Sequence, residues 1–256
     1  MQLPLTEINR LFHAQAIAVD SQPDLFQQVA DWQLGSPKPT LVIVGGAGGI
    51  AEADQATLQK LFIDCVAPWA QANGLAVVDG GTDAGIMRFI GIARDTIQGT
   101  FPLIGVVAEG TVNLPERPAS NPYAAELEPH HSHFVLVPGG EWGDESPWLA
   151  QTATAIAQQS PSITFVINGG KITWQDLQCS INEKRPIVTF AGSGRTADIL
   201  AEALHGNIQD EQARNILQQG QIQSLSLKAS ATELQSLLQT LFKRRLSPML
   251  VTTVWE

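Results

Sequence analysis

The chain is short of several things that would have set its class at once. It has two cysteines in 256 residues, Cys65 and Cys179, far apart and each inside a helix-like stretch. That argues against a disulfide framework and suits small, reduced core residues. Basic residues are scarce: 15 Lys and Arg stand against 25 Asp and Glu, a formal net charge of −10. Long nucleic acid draws its affinity from cationic side chains, so it is not an expected partner. A small phosphorylated ligand needs only local backbone amides. Long apolar runs are missing too. Leu41 to Val44 is far too short to cross a bilayer, and Met1-Gln2-Leu3-Pro4-Leu5 has neither the basic start nor the apolar core of a signal peptide. The expectation is a cytoplasmic protein with no membrane partner.

Apolar residues at 44% and charged residues at 16% describe an ordinary globular chain, long enough for one large α/β domain. Along it one phrase recurs: an apolar run, a glycine-rich turn, a helix-length segment. Ala14 to Val19 reads as a first strand, and Ser21-Gln22-Pro23-Asp24 as a helix entry followed by Leu25, Phe26, Val29 and Trp32 at helical spacing. After the connector Ser36-Pro37-Lys38-Pro39, Thr40 to Val44 has the β-branched character of a strand covered on both faces. It leads into Gly45-Gly46-Ala47-Gly48-Gly49 and a helix near Glu52 to Asn73, with a kink expected at Pro68. Leu75 to Asp79 leads into Gly80-Gly81-Thr82-Asp83-Ala84-Gly85 and a helix carrying Ile86, Met87 and Ile90. Leu103 to Val107 is a strand before a long loop through Pro129. Phe134 to Val137 runs into Pro138-Gly139-Gly140, Ile163 to Ile167 into Asn168-Gly169-Gly170, and Ile187 to Phe190 into Gly192-Ser193-Gly194-Arg195.

Strands alternating with helices predict a Rossmann-like, mainly parallel α/β sheet with helices on both faces. Such sheets bind ligands outside their strand carboxyl ends, where the glycine clusters fall. Random placement of 22 glycines would give about two adjacent pairs, against five here, so tight turns alone do not account for them. The expectation is that amides of these loops converge on one rim and grip an anion, helped by helix N-termini. Residues 1–205 are read as this domain and 206–256 as a helical extension packed on it. In the latter, Ser230-Ala231-Thr232-Glu233 is a capping box. Leu234, Leu237, Leu238, Leu241 and Phe242 form an apolar stripe, with Lys243-Arg244-Arg245 at the helix end.

Formal motif tests are mixed. Gly46-Ala47-Gly48-Gly49-Ile50-Ala51 fits the permissive dinucleotide fingerprint, and Asp79 ends the next strand, though further along the chain than the fingerprint's acid. Asn168-Gly169-Gly170-Lys171 lacks the first glycine of a Walker A loop, where Phe165 stands. Gly192-Ser193-Gly194 is not a serine nucleophile elbow.

Three stretches taken together are more specific: Asp79 to Met87, His131 to Val137, and Ala191-Gly192-Ser193-Gly194-Arg195-Thr196-Ala197-Asp198. In this order they resemble the SLOG-type domain shared by the cytoplasmic N-terminal region of melastatin-type TRP channels and its stand-alone prokaryotic relatives, from about Ala14 to Leu204. The resemblance implies a sensor or accessory module for phosphate-bearing nucleotide derivatives, with ADP-ribose or an NAD-like molecule as the expected bound ligand and no other cofactor assigned. Carried over by position, Thr82 and its loop contact phosphate or ribose, and Arg195 pairs with a phosphate through its planar fork. Asp198 orients Arg195 or accepts a ribose hydroxyl, and Trp142 stacks on a base. The full set of ligand-binding candidates is Gly45, Gly46, Gly48, Gly80, Gly81, Thr82, Asp83, Gly85, Gly139, Gly140, Trp142, Gly169, Gly170, Gly192, Ser193, Gly194, Arg195 and Asp198. One departure stands out: the channel relatives carry a basic residue shortly after the acid matching Glu145, whereas this chain has Trp148 and Leu149.

Two alternatives stay open. Pro138-Gly139-Gly140-Glu141-Trp142-Gly143-Asp144-Glu145 resembles a variant of a phosphoribohydrolase element, which makes Glu145 the candidate catalytic residue of a nucleotide N-glycosidase. The other is a scaffold without a ligand, self-associating through its C-terminal helix. His130, His131 and His133, with Glu126 and Glu128 nearby, raise a metal site, but no strong zinc spacing closes the set and no metal is assigned. They read instead as a polar loop entering a buried strand, with His131 or His133 hydrogen-bonded at the ligand edge. For Arg195 the bland alternative is an ion pair with Asp198.

Overall fold

A computed structural model describes residues 2–35, 37–114 and 121–244. Ser36 of the connector, residues 115–120 of the long loop and Arg245 at the last helix end lie outside the described residues. The chain runs α1 (Gln2–Phe12), β1 (Gln15–Ala18), α2 (Gln22–Asp31), β2 (Thr40–Gly45), α3 (Glu52–Leu61), a π turn (Phe62–Val66) and α4 (Ala67–Ala72). Next come β3 (Ala76–Asp79), α5 (Gly85–Thr96), β4 (Leu103–Ala108), β5 (His133–Val137), α6 (Ser146–Ala157) and β6 (Ser162–Ile167). The rest is α7 (Lys171–Asn182), β7 (Ile187–Ala191), α8 (Arg195–Leu204), α9 (Glu211–Gln219), β8 (Ile222–Ser226) and α10 (Ala231–Arg244).

The strands form one eight-stranded sheet, all parallel, in the order β1-β5-β4-β3-β2-β6-β7-β8. The central strands are buried along their length, which is why they read as continuous apolar runs. Their side chains still alternate between two cores. Leu41 and Ile43 face Phe62, Ile86, Ile90 and Leu234, while Val42 and Val44 face Leu25, Leu149, Leu177 and Leu200. A third cluster, around Ile8, Leu127 and Phe134, seats α1 near the β1–β5 edge.

Two elements depart from the sequence reading. α1 was not expected, and the described part of the extension, residues 206–244, supplies a strand, β8, as well as helices. The kink at Pro68 takes a definite form. Proline has no N–H to offer Asp64, so the ladder widens over Phe62–Val66, and Ala67 donates to Phe62 instead. The capping box is formed: Ser230 N–H donates to Glu233 Oε2 at 2.8 Å, and Glu233 N–H to Ser230 Oγ at 3.2 Å. Above it, Leu234, Leu238, Leu241 and Phe242 are buried, Phe242 against Trp69. The stripe is therefore occupied within the chain's own core.

Strand order reverses between β2 and β6. From β2 the chain builds outward through β3, β4 and β5, then returns to lay β6 on the other side. Thr40 to Gly45 pair in register with Ser162 to Ile167, so the loops leaving both strands diverge from one point. A crevice there follows from topology.

Candidate ligand-binding site

A cavity of about 380 Å³ opens at this reversal. Its walls come from the loops after β2 (Gly45, Gly46, Ala47, Gly48), β3 (Gly80, Thr82), β5 (Trp142, Glu145) and β6 (Gly170), together with Ile43, Val44, Met87, Leu149, Lys171, Ile172, Thr173, Asp176 and Arg195. Glycine is required where two of these loops touch. Gly85 has φ +47°, and a Cβ there would sit 2.1 Å from the Gly46 carbonyl oxygen and 2.8 Å from Ala47 Cα. Any side chain would push the β2 loop away.

Arg195 reaches the cavity through an unusual backbone. Gly194 has φ +96° and Arg195 itself φ +51°, a left-handed conformation uncommon outside glycine. The guanidinium extends over the β2 loop, donating from Nη1 to the Gly48 carbonyl at 3.3 Å. It also covers Gly170, where a Cβ would meet Nη2 at 2.9 Å. Gly170 caps α7, whose first turn presents amides and the positive helix end to the cavity. Lys171 stands on that turn and is exposed. A second cation is thus present, from α7 and not from the start of α6, where Trp148 and Leu149 stand.

Asn168 staples the loops together. Its backbone is left-handed (φ +58°), and its N–H donates to Ser193 Oγ at 2.8 Å. Its Nδ2 donates to the Ser193 carbonyl at 2.8 Å and, more weakly, to that of Gly49 at 3.4 Å, while its Oδ1 accepts from Gly169 N–H at 2.9 Å. One buried amide joins the loops after β2, β6 and β7.

The expected crowd of free amides is smaller than the glycine count suggested. Gly46 N–H donates to Ile167 O, Gly81 to Asp79 Oδ1, and Gly140 and Glu141 to Asp144 Oδ2. Gly169 donates to Asn168, Gly170 to Thr173 Oγ1, Gly192 to Asp198 Oδ1 and Ser193 to Phe190 O. Tight turns satisfy themselves first, because a buried unpaired N–H is costly. Among the described residues, the lining amides of Ala47 and Gly48 have no protein acceptor. With the first turn of α7, they form the part of the lining chemically able to hold an anion.

The acidic wall is the second feature. Glu145 Oε2 accepts from Gly143 N–H at 2.9 Å, and Asp176 Oδ1 accepts from Ser146 Oγ–H at 2.6 Å. Burial pushes the Glu145 carboxyl above its usual range, with Asp144 adding to the effect against the opposing backbone hydrogen bonds. Burial likewise raises Asp176 to about 7; the Ser146 bond opposes this and the nearby Glu145 charge adds to it.

Of the residues singled out in the sequence, Gly45, Gly46, Gly48, Gly80, Thr82, Trp142, Glu145, Gly170 and Arg195 line the cavity. Gly81, Asp83, Gly85, Gly139, Gly140, Gly169, Gly192, Ser193, Gly194 and Asp198 are not among the lining residues and shape the loops behind it. Asp83 pairs with Arg88, the Nε–Oδ1 distance being 2.6 Å. Asp198 neither orients Arg195 nor pairs with it, since its carboxylate holds Gly192 N–H. Among the described residues no carboxylate lies within ion-pair distance of Arg195. Asp176, Lys171 and Asn168 were missed as functional residues. Asn before Gly-Gly was the available signal for Asn168, because Asn tolerates left-handed backbone. For Asp176 there was none.

Asp79 and the histidines sit apart from the cavity. Asp79 is fully buried and bonded to His131 Nε2 at 2.8 Å, while Glu128 Oε2 holds His131 Nδ1 at 2.7 Å. His130 Nδ1 lies 2.6 Å from Glu128 Oε1, and His133 packs on Trp32. Neither His131 nor His133 is at the ligand edge as expected. Among the described residues, no three His, Cys, Asp or Glu side chains are grouped to hold a metal ion.

A parallel, doubly wound sheet with a cavity at its strand-order reversal defines a Rossmann-like α/β domain. The family follows from sequence comparison: residues 38–236 match the family described as SLOG in TRPM, prokaryote, and the chain belongs to it. It is similar to transient receptor potential cation channel subfamily M member 2 of Mus musculus, 27% identical over 206 residues. A subfamily M member-like 2 protein of Nematostella vectensis is 26% identical over 226 residues. These alignments take in 67% and 73% of this chain but only 14% of each channel. The X-ray structure of TM1055 shares the fold, with a TM-score of 0.50 at 18% identity, covering 79% of this chain and 99% of that one. No helix among the described residues is long and apolar enough to cross a membrane.

Proposed function

We propose that the protein binds a phosphate-bearing nucleotide derivative, ADP-ribose or an NAD-like molecule, as a cytoplasmic sensor or accessory module. The observation that carries this reading is Arg195, laid between the Gly48 carbonyl and the α7 N-terminus at the rim of the switch-point cavity. Its fork and the Ala47, Gly48 and α7 amides suit phosphate oxygens, with Lys171 as a second cation. Trp142, 38% exposed and lining the same cavity, is placed to stack on a base. Calorimetry with ADP-ribose, NAD and AMP tests it. At least one ligand is expected to bind saturably, and Arg195→Ala to weaken it tenfold or more, since a charge-assisted hydrogen bond contributes about 1.5–3 kcal/mol. No heat from any of the three would overturn the reading.

The hydrolytic alternative keeps one specific support. Glu145 lines the cavity with its carboxyl pushed toward the protonated form, as an acid near a glycosidic bond requires. It predicts release of free base from a nucleotide, abolished by Glu145→Gln. Chromatograms unchanged after prolonged incubation would eliminate it.

A further inference from the structure

This inference rests on the nucleotide reading and concerns which part of the ligand meets the acidic wall. The cavity has two chemical ends. Arg195, Lys171 and the first turn of α7 favour an anion. Glu145 and Asp176 line the same space and repel one. Lys171 and Asp176 are five residues apart on one helix, a rise of about 7.5 Å. That is of the order of a sugar ring with its exocyclic methylene.

The free acceptors say what belongs there. Asp176 Oδ1 is engaged by Ser146, and among the described residues no donor reaches Oδ2. Glu145 Oε2 is engaged by Gly143, and no side chain donates to Oε1. A second phosphate at this wall would add like charge to two crowded carboxylates. An apolar group would strip their water and return no hydrogen bond. Neutral donors suit the place, and a pair of adjacent hydroxyls supplies one donor for each remaining acceptor, Asp176 Oδ2 and Glu145 Oε1.

We propose that Asp176, assisted by Glu145, reads the sugar, so that the ligand is a ribose-type phosphate whose vicinal diol donates to this wall while its phosphate lies at Arg195. Asp176 is then a specificity residue, distinct from the phosphate grip. Ligand donors stabilise the ionised carboxylate, so binding draws the proton off Asp176 and affinity rises between pH 6 and 8. The groups facing Asp176 are Glu145 from the loop before α6, Ser146 on α6 and Cys179 on its own helix; Lys171 and Arg195 share the cavity.

The test is calorimetry of the whole chain with ADP-ribose, NAD and AMP, each beside counterparts lacking a 2′-hydroxyl on either ribose. Runs in buffers of different ionisation enthalpy count protons released. The wild type is expected to reject one deoxy counterpart by at least tenfold and to release protons near pH 7. Asp176→Asn keeps the size and the Ser146 contact, and is expected to abolish the proton release. Asp176→Ala is expected to bring the deoxy and ribose forms within about twofold, because a site built to bond a hydroxyl is what rejects its absence. Arg195→Ala should weaken both forms alike. Equal binding of deoxy and ribose forms by the wild type, or discrimination surviving Asp176→Ala, overturns the sugar assignment and leaves the nucleotide reading intact. Failure of every nucleotide to bind overturns both.

Discussion

His131 Nε2 lies 2.8 Å from Asp79 Oδ1, both side chains fully buried at the base of the Gly80-Gly81-Thr82 loop. Asp79 Oδ1 also takes the Gly81 N–H at 2.7 Å, and Glu128, on the other side of the imidazole, donates its backbone N–H to the Gly81 carbonyl. An imidazolium between two carboxylates thus anchors one wall of the cavity without touching it. Gly91 on α5 leaves room for this, since a Cβ there would fall 2.1 Å from the Glu128 carboxyl.

Removing that cation leaves Asp79 buried without its ion-pair partner and takes from Glu128 the buried one of its two imidazoles. His131→Gln is expected to destabilise the fold by about 3–5 kcal/mol, the usual cost of breaking a buried ion pair from one side. Urea unfolding at pH 7 measures this. An unchanged midpoint would show that the network carries no charge.

The same group gives a pH signature. Burial works against the charged imidazole, but Asp79 and Glu128 prevail and raise its pKa from 6.5 to about 9. Its stabilisation is therefore complete below 6.5 and lost as pH rises through 9. His133 runs the other way: burial and the Arg94 charge lower it from 6.5 to about 4, so its contribution stands above 6.5 and fades as pH falls toward 4. Unfolding midpoints across pH 4–10 should decline on both sides of neutrality. The acid decline should shrink in His133→Asn. The alkaline one should be missing in His131→Gln, whose losses shift to lower pH where the carboxylates ionise.

Asn168→Ala tests the staple. Alanine resists φ +58° and strands the Ser193 carbonyl and Gly169 amide, so a loss on the order of 2–3 kcal/mol is expected. Nucleotide affinity should fall with it, because the loops from β2, β6 and β7 lose their common tie. Affinity surviving intact in a folded variant would show that the loops hold their places without it.

Gly85→Ala should act through a neighbouring loop. A methyl group 2.1 Å from the Gly46 carbonyl must displace residues 46 and 47, at a cost of about 1–3 kcal/mol for backbone strain alone. Reduced thermal stability and weaker ligand binding are expected together, although Gly85 is not a lining residue. A variant that matched the wild type in both would contradict the close packing of the two loops.

Arg195→Lys separates charge from shape. Lysine keeps the cation but cannot span from Gly48 to Gly170 as a planar fork. Calorimetry should give an affinity between those of the wild type and Arg195→Ala. Full affinity for the lysine variant would mean that only charge matters at this position.

The apolar runs and glycine turns of this chain were enough to establish the parallel α/β class, the seven strands from β1 to β7 and the strand-end location of the cavity. Those properties follow from local periodicity and backbone freedom, which are written residue by residue. The sequence also singled out Arg195, which follows Gly-Ser-Gly directly, and Trp142, through the family resemblance. What it left open depends on distance through space. β8, five residues with none fully buried, is held by the strand it pairs with. Which glycine amides remain free was decided by Asp144, Asp198, Asn168 and Asp79, carboxylates and an amide that fold back onto their own loops. Asp176 looks like any polar residue on a helix until α6 brings Ser146 and Glu145 against it. The burial that then shifts its proton is a property of the packed structure and of no single stretch of chain.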